Sequence, residues 1–137
     1  MNWIWIGLGG AIGSISRFAI GNWAQQKLEG KLPALLDFPA GTIFVNVSGS
    51  FLIGLFAYLK NSGGEPLLNP AARLFLLVGI CGGYTTFSSF SLETIQLTEK
   101  GAWLKAGWNV LASVAMCLIA VWLGHQLALL LNKPRGE

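Results

Sequence analysis

Residues 79–93 read GICGGYTTFSSFSLE and lie in a stretch that is hydrophobic enough to cross a membrane, although glycine and hydroxyl residues crowd it. The pair Gly82-Gly83, followed by Thr85 and Thr86, favours a break in a helix at this point. The hydrocarbon core of a bilayer holds no water for free backbone groups, so such a break is stable only inside protein or beside a polar cavity. The segment therefore predicts an internal site in a membrane protein.

Long uncharged runs flank this segment along the chain of 137 residues, which is 53% hydrophobic and 11% charged. The runs 38–59, 74–92 and 106–131 are each long enough to cross a hydrocarbon core of about 30 Å. A fourth apolar stretch near the N-terminus contains a single charge, Arg17. We predict an all-α membrane protein with one transmembrane domain over residues 1–137, whose four helices cover about 3–24, 38–59, 71–98 with a break near 82–86, and 103–131.

Several classes of function are excluded by what the chain lacks. The N-terminus has no basic region before its apolar stretch, so we expect the first helix to remain in the mature protein. The net charge of +3 comes from basic residues scattered singly over the loops, which argues against nucleic-acid binding. No nucleophile and base pair, phosphate loop or metal-ligand spacing around His125 occurs, so we expect no enzyme activity. Cys81 and Cys117 both fall at membrane depth, where we expect reduced thiols.

The basic residues of the loops are balanced between the two sides of the membrane. With four helices, one side carries Lys60, Arg73, Lys133 and Arg135, and the other carries Lys27, Lys31, Lys100 and Lys105. Because lysine and arginine in short loops decide orientation, this tie permits insertion in both directions. A bundle this small fills its own centre with side chains, so transport requires an oligomer. We therefore predict a dual-topology antiparallel homodimer, which produces an inverted repeat from one gene.

Polar and small residues recur at steps of four on three of the helices. Helix 1 presents Gly9, Gly13, Arg17 and Gly21, helix 2 presents Thr42, Asn46, Ser50 and Gly54, and helix 4 presents Asn109, Ser113 and Cys117. Such ladders serve interhelical hydrogen bonding, or they replace the hydration shell of a small ion. Arg17 either has a functional role or only reaches the interface with its charge.

Phe87 and Phe90 stand three residues apart at the start of the second half of helix 3. Such a pair serves core packing, but the positive edges of aromatic rings also suit an anion path that carries no fixed charge. Helices 1, 2 and 4 contain no carboxylate, and the only acid near a span is Glu93 towards the end of helix 3. A proton-coupled exporter of cations needs a membrane-embedded acid, so this absence argues against that class.

Three motifs in chain order resemble those of the Fluc (CrcB-type) family of small fluoride channels, and the match covers nearly the whole chain. The family pattern GGxTTFSTFSxE reads GGYTTFSSFSLE at 82–93, where Ser89 takes a position that is often Thr. Helix 2 carries GTIFVNVSGSFLIG at 41–54, and helix 1 carries GGAIGSISRF at 9–18.

The resemblance implies a fluoride-selective channel that exports fluoride passively from the cytoplasm and confers fluoride resistance. It implies a multi-pass protein of the bacterial inner membrane, an antiparallel homodimer with two pores, and fluoride, the lipid bilayer and a second copy of the chain as partners. It also implies a structural Na⁺ on the dimer axis, bound by the backbone carbonyls of Gly82 and Thr85 of both subunits.

The resemblance further assigns a role to single residues. The fluoride pore comprises Phe87, Phe90, Asn46, Thr42, Ser113, Asn109 and Cys117, and Arg17 attracts anions at a vestibule. Helix 4 departs from the family's track of one Tyr and two Ser, because Asn109 and Cys117 flank Ser113. The alternatives are a small dual-topology exporter of cations or drugs and a membrane assembly subunit that transports nothing.

Overall fold

The fold is entirely helical over the residues that a computed structural model describes, 2–31 and 37–132. Its elements are α1 (Asn2–Lys31), α2 (Ala40–Tyr58), α3 (Pro70–Arg73), a π-helical segment (Leu74–Cys81), α4 (Gly82–Tyr84), α5 (Phe87–Glu99) and α6 (Trp103–Leu131). Four helical stretches are long and apolar enough to cross a membrane, namely α1, α2, Pro70–Glu99 and α6. The all-helical class and the four candidate spans are thereby confirmed. We call Pro70–Glu99 the third span.

The first helix runs to Lys31, well past residue 24, where its apolar stretch ends. Its last turns are polar and contain no proline, so they continue the helix into the polar region beside the membrane. Pro33, expected to mark the approach to helix 2, and Lys133 and Arg135, which enter the count of loop charges, lie outside the described residues.

The first half of the third span packs along α1 at backbone distance. A Cβ atom added to Gly9 would meet the carbonyl oxygen of Phe75 and the Cα of Gly79, and one added to Gly13 would meet the carbonyl oxygen of Ile80. The residue numbers of the contacting positions increase in the same direction along both helices, so the two helices are parallel. The small residues predicted on helix 1 therefore bring two backbones together, as small residues do in membrane helix pairs.

A second parallel pair forms between α2 and α6, which make the most extensive contact in the chain. A Cβ on Gly54 would meet the carbonyl of Val121, and a Cβ on Gly124 would meet the carbonyl of Phe51. Each glycine thus accepts the backbone of the opposite helix. The subunit consists of two such parallel pairs packed against each other.

Polar contacts join the loops at the two ends of the bundle. At one end, Asn132 Oδ1 accepts a hydrogen bond from Lys60 N at 2.8 Å, and Asn132 Nδ2 donates to Tyr58 O at 2.8 Å. At the other end, Lys100 Nζ lies 3.0 Å from Asp37 Oδ1. The C-terminal ends of α2 and α6 therefore lie at one end of the bundle, and the start of α2 and the end of α5 lie at the other. This arrangement is expected when four helices run alternately up and down.

Candidate functional site

The third span leaves helical geometry at Thr85 and Thr86, whose φ and ψ angles are −86°, 157° and −152°, 119°. The second half of the span then restarts at Phe87, where the Thr86 side chain caps it by accepting a hydrogen bond from Ser89 N at 3.1 Å. Threonine is a preferred residue at such a helix start because its oxygen satisfies a free amide. Thr86 is therefore the cap of the second half of the span.

Asn46 of α2 secures these extended residues. Its Oδ1 accepts a hydrogen bond from Thr86 N at 2.7 Å, and its Nδ2 donates to Thr86 O at 2.9 Å. Both residues are buried. The side-chain amide therefore replaces the two backbone partners that Thr86 would have in a continuous helix, which satisfies groups that would be costly to bury unpaired.

Two carbonyl groups lose their usual helical partners at this point. In an unbroken helix, the carbonyl of Gly82 would accept from Thr86 N and that of Thr85 from Ser89 N. Here Thr86 N donates to Asn46, and Ser89 N donates to the Thr86 hydroxyl. The oxygens of Gly82 and Thr85 are thus released from the helical pattern, and they belong to the two residues predicted to bind Na⁺.

A glycine on α2 allows the broken segment to approach closely. A Cβ on Gly49 would meet the Thr85 methyl group, and the ring of Tyr84 lies only 3.0 Å from that Cβ position. The Tyr84 hydroxyl also lies 3.0 Å from Ser48 Oγ. The break therefore contacts α2 both by packing against Gly49 and by the hydrogen bond between Tyr84 and Ser48.

A cavity of about 370 Å³ opens beside the break, and we call it the central cavity. It is bordered by α2, both halves of the third span and α6, and most of its surface is apolar. Its lining residues include seven of those predicted for the pore or the sodium site: Asn46, Gly82, Thr85, Phe87, Phe90, Ser113 and Cys117. None of the described residues that line this cavity carries a charge.

The two phenylalanines occupy different environments at this cavity. Their ring centroids are 5.1 Å apart and the ring planes meet at 52°. Phe90 is 8% exposed, whereas Phe87 is 76% exposed in the single chain. A large ring left uncovered beside a site indicates that a further surface, from lipid or from another copy of the chain, covers it.

A second cavity of about 590 Å³, which we call the vestibule, lies between α1, the start of α2 and α5. Arg17, Thr42, Glu93 and the side of Thr86 line it, and Asp37 stands among its lining residues at the loop. The hydrogen bond of Lys100 to Asp37, together with the charge of Lys100, lowers the pKa of Asp37 from its usual value. Thr86 belongs to both cavities, so the break separates one from the other.

The vestibule contains a polar contact that joins α2 to α5. Thr42 Oγ1 donates to Glu93 Oε1 at 2.7 Å. The other carboxylate oxygen, Glu93 Oε2, is buried without a hydrogen-bond partner among the described residues. Thr42 lies one helical turn before Asn46 and lines the vestibule, whereas Phe87 and Phe90 line the central cavity.

Asn109 is set apart from the other predicted pore residues. Its side chain is 1% exposed, and its Nδ2 donates to Thr94 Oγ1 of α5 at 2.8 Å. Ser113 and Cys117 of the same helix line the central cavity, but Asn109 is not among the residues that do. The ladder predicted on helix 4 thus divides into two residues at the cavity and one behind it.

Some residues of the site received no role from the sequence. Glu93 was considered only in the argument against an exporter, although an ionisable residue within a span is itself a signal of function. Thr86 and Tyr84 stood in the broken segment without an assigned partner, because their partners on α2 lie far away in sequence. Three or more His, Cys, Asp or Glu side chains do not cluster as a metal site in residues 2–31 and 37–132.

The chain is similar to a known protein family and to several named proteins. The model of the family described as CrcB-like protein, Camphor Resistance (CrcB), matches residues 4–125. A protein of Methylocella silvestris named fluoride-specific ion channel FluC is 44% identical over 136 residues, which cover 99% of each chain. Proteins with the same name from Opitutus terrae and Rhodospirillum rubrum are 47% and 44% identical, with 98% and 97% of this chain covered and 98% of each relative.

Proposed function

The chain belongs to the CrcB-like protein family, and on this basis we propose that it is a fluoride-selective ion channel through which fluoride leaves the cytoplasm passively. Its relatives are named as ion channels, so the protein is a transporter and not an enzyme. In a cell, passive export lowers the internal fluoride concentration and confers fluoride resistance.

The observation that carries this proposal is the pairing of a charged vestibule with an uncharged cavity on the two sides of one helix break. Arg17 is the basic residue among those that line the vestibule, which also include Asp37 and Glu93, and in this proposal its positive charge attracts anions there. The central cavity offers amide and hydroxyl donors from Asn46 and Ser113 and the ring edges of Phe87 and Phe90. An anion is therefore attracted without being bound by a fixed charge that would hold it in the pore.

Selectivity for fluoride follows from size and hydrogen bonding. Fluoride is small and strongly hydrated, so a path that admits it has to supply closely spaced hydrogen-bond donors in place of water. Asn46, Ser113 and Cys117 supply such groups at the central cavity, whereas the Thr42 hydroxyl at the vestibule already donates to Glu93. A narrow path excludes the larger chloride ion. The thiol of Cys117 is a weaker donor than the hydroxyl it replaces in the family.

The working unit in this proposal is an antiparallel homodimer in the bacterial inner membrane. The central cavity is open along the side of the subunit, and the exposed Phe87 ring lies at its edge. A second copy inserted in the opposite direction would cover this side and close two pores related by a two-fold axis in the membrane plane. The balance of basic residues between the loops permits both orientations.

A structural Na⁺ at the centre of this dimer fits the donor groups of the broken segment. The carbonyls of Gly82 and Thr85 are freed from helical bonding by Asn46 and by the Thr86 hydroxyl. Unwound backbone carbonyls are the ligands that membrane proteins offer to sodium. When bound, the ion would supply positive charge that draws the broken segments of the two subunits together.

We expect the dimer purified in NaCl to withstand a higher temperature than the dimer purified in KCl, and equal stabilities would contradict the sodium site.

The channel proposal is tested by fluoride efflux from proteoliposomes, measured with a fluoride-selective electrode. We expect rapid loss of fluoride down its gradient and retention of chloride in parallel vesicles. Replacement of Phe87 by alanine should abolish most of the efflux, whereas replacement of Leu92 should not. Leu92 is 60% exposed on the same helix and lines neither cavity, so it is a matched control. Retained fluoride, or equally fast release of chloride, would refute the proposal.

The same vesicles distinguish the alternatives. An exporter of cations driven by protons would move a cationic dye against its gradient when the vesicles are acidified, and an assembly subunit would move neither dye nor fluoride. Glu93 is the acidic residue of the third span among those that line the vestibule, and its carboxylate accepts a hydrogen bond from Thr42.

A further inference from the structure

A chain of hydrogen bonds connects α6 to the backbone beside Phe90. Asn109 Nδ2 donates to Thr94 Oγ1 at 2.8 Å, and Thr94 Oγ1 donates to Phe90 O at 2.7 Å. Among residues 2–31 and 37–132, Asn109 and Val45 are the largest side chains that are fully buried. A polar group at this depth is retained only when it is hydrogen-bonded, so the contact with Thr94 is a constraint on how the two helices pack.

The constraint acts on α5, which is also joined to α2 by the hydrogen bond between Thr42 and Glu93. After the break, α5 packs mainly against α6 and has much smaller contact with α2. Phe90 projects from its first turns into the central cavity, and Thr94 stands one helical turn further on. A shift of α5 along α6 would therefore carry the Phe90 ring with it, and the bond between Asn109 and Thr94 opposes this shift.

The other end of the Asn109 side chain points back to the cavity wall. Ser113 Oγ lies 3.4 Å from Asn109 Oδ1, which is a long and weak hydrogen bond. Ser113 itself lines the central cavity, as Phe90 does from the opposite helix. Asn109 thus contacts Thr94 on α5 and Ser113 on α6, although it does not itself line the cavity.

We propose that Asn109 is a positioning residue that keeps Phe90 and Ser113 at a fixed separation across the central cavity by holding α5 against α6 through Thr94. It therefore takes no direct part in contacting the anion, in contrast to the pore role that the family resemblance assigns to this position. This inference depends on the proposed channel function, because its effect is expressed in the rate and selectivity of fluoride movement.

The test compares variants by fluoride efflux per folded dimer. We expect Asn109→Leu and Thr94→Val each to lower the efflux by about tenfold, the factor that corresponds to one buried hydrogen bond. The double variant should be no slower than either single variant, since residues that act through one contact are not additive. A displaced Phe90 ring should also lower the preference for fluoride over chloride.

Two variants serve as controls. Thr94→Ser keeps the hydroxyl group and should restore wild-type efflux and selectivity. Thr98 lies one turn further along α5. Among the hydrogen bonds of the described residues, its side-chain hydroxyl donates only to Ile95 O of the same helix. Thr98→Val should therefore have no effect. Circular dichroism and size-exclusion chromatography establish that each variant remains a folded dimer.

The outcomes separate this inference from the channel proposal. If wild-type vesicles retain fluoride, the channel function itself is refuted. If wild-type vesicles release fluoride but the variants keep the rate and selectivity of wild type per dimer, Asn109 has no positioning role. Independent, multiplicative losses in the double variant would likewise overturn the proposal, because they would show that Asn109 and Thr94 act separately.

Discussion

At the scale of single residues, Asn46 combines two tasks that are usually separate. One oxygen and one N–H of its amide satisfy the backbone of Thr86, while the side chain also borders the central cavity. The amide has a second N–H, for which the described residues show no hydrogen-bond acceptor. In the proposed channel, the group that stabilises the break would therefore also donate to the anion.

This double role predicts a loss of stability on mutation. Asn46→Ala would leave the buried N–H and carbonyl of Thr86 without partners, and we expect a loss of about 2 kcal/mol in unfolding free energy. Ser50→Ala, on the same face of α2 and at the same cavity, should change it by less than about 0.5 kcal/mol. Thermal unfolding of the detergent-solubilised protein measures both. Equal stabilities would show that Thr86 finds other partners.

At the scale of helices, contact between backbones decides which glycines matter. Gly9 faces the π-helical segment so closely that the Phe75 carbonyl occupies the place of a Cβ, while Gly7 on the same helix has nothing within 4 Å of that position. The step of four from Gly9 to Gly13 places Gly9 on a shared face and leaves Gly7 off it, but it does not show which helix that face contacts. The rotation of α1 about its axis decides which of the two meets a neighbour.

The difference predicts opposite outcomes for two identical substitutions. Gly9→Ala should separate α1 from the third span and cost about 1–3 kcal/mol, because the obstacle is backbone that cannot rotate away. Gly7→Ala should be neutral or slightly stabilising, since alanine favours a helix. The yield of folded protein and its melting temperature check the prediction. A tolerated alanine at residue 9 would mean that the two helices are not in close contact.

At the scale of the whole molecule, an ion pair joins the loop before α2 to the loop before α6. Asp37 adopts a positive φ of 65° and its carboxylate meets Lys100 Nζ at 3.0 Å. The hydrogen bond and charge of Lys100, followed by the charge of Lys105, lower the pKa of Asp37 from 3.8. The pair is solvent-exposed, so its contribution is small and is screened by salt.

This ion pair predicts a defined dependence on pH. Asp37→Asn keeps a residue that tolerates positive φ and removes the charge. Wild type should be slightly more stable than this variant above pH 3.8, and the difference should disappear as the pH falls through the lowered pKa of Asp37, because the carboxyl then becomes neutral. Melting temperatures of both proteins from pH 7 to pH 3 provide the measurement. A constant difference over this range would exclude the ion pair as its cause.

The balance of loop charges predicts how orientation controls activity. Ser62→Lys with Glu65→Lys adds positive charge to one side, and Gln96→Lys with Glu99→Lys adds it to the other. We expect each double variant to insert in one direction and to lose fluoride efflux, because antiparallel partners are then lacking. Co-expression of the two should restore efflux. Full activity of either variant alone would refute the antiparallel dimer.

Much of the architecture could be predicted from the sequence because a bilayer imposes simple rules. Three uncharged runs and one apolar stretch with a single charge mark the four candidate spans, and glycines beside threonines mark the position where helical geometry is lost. The end of α1 could not be predicted from the sequence in the same way, because its last turns are helical but polar and hydropathy does not mark them. The roles of the site residues in conduction stay predictions.

The sequence alone determined that this chain forms membrane-spanning helices and contains a polar interruption, because both depend on local composition. Only the tertiary structure decided which residues meet at the interruption. Asn46 reaches Thr86, Thr42 reaches Glu93, and Asn109 is buried behind the cavity against Thr94. These pairings depend on how the helices are rotated and staggered against one another. Steps of four along one helix define a face, but they do not state which neighbour that face contacts.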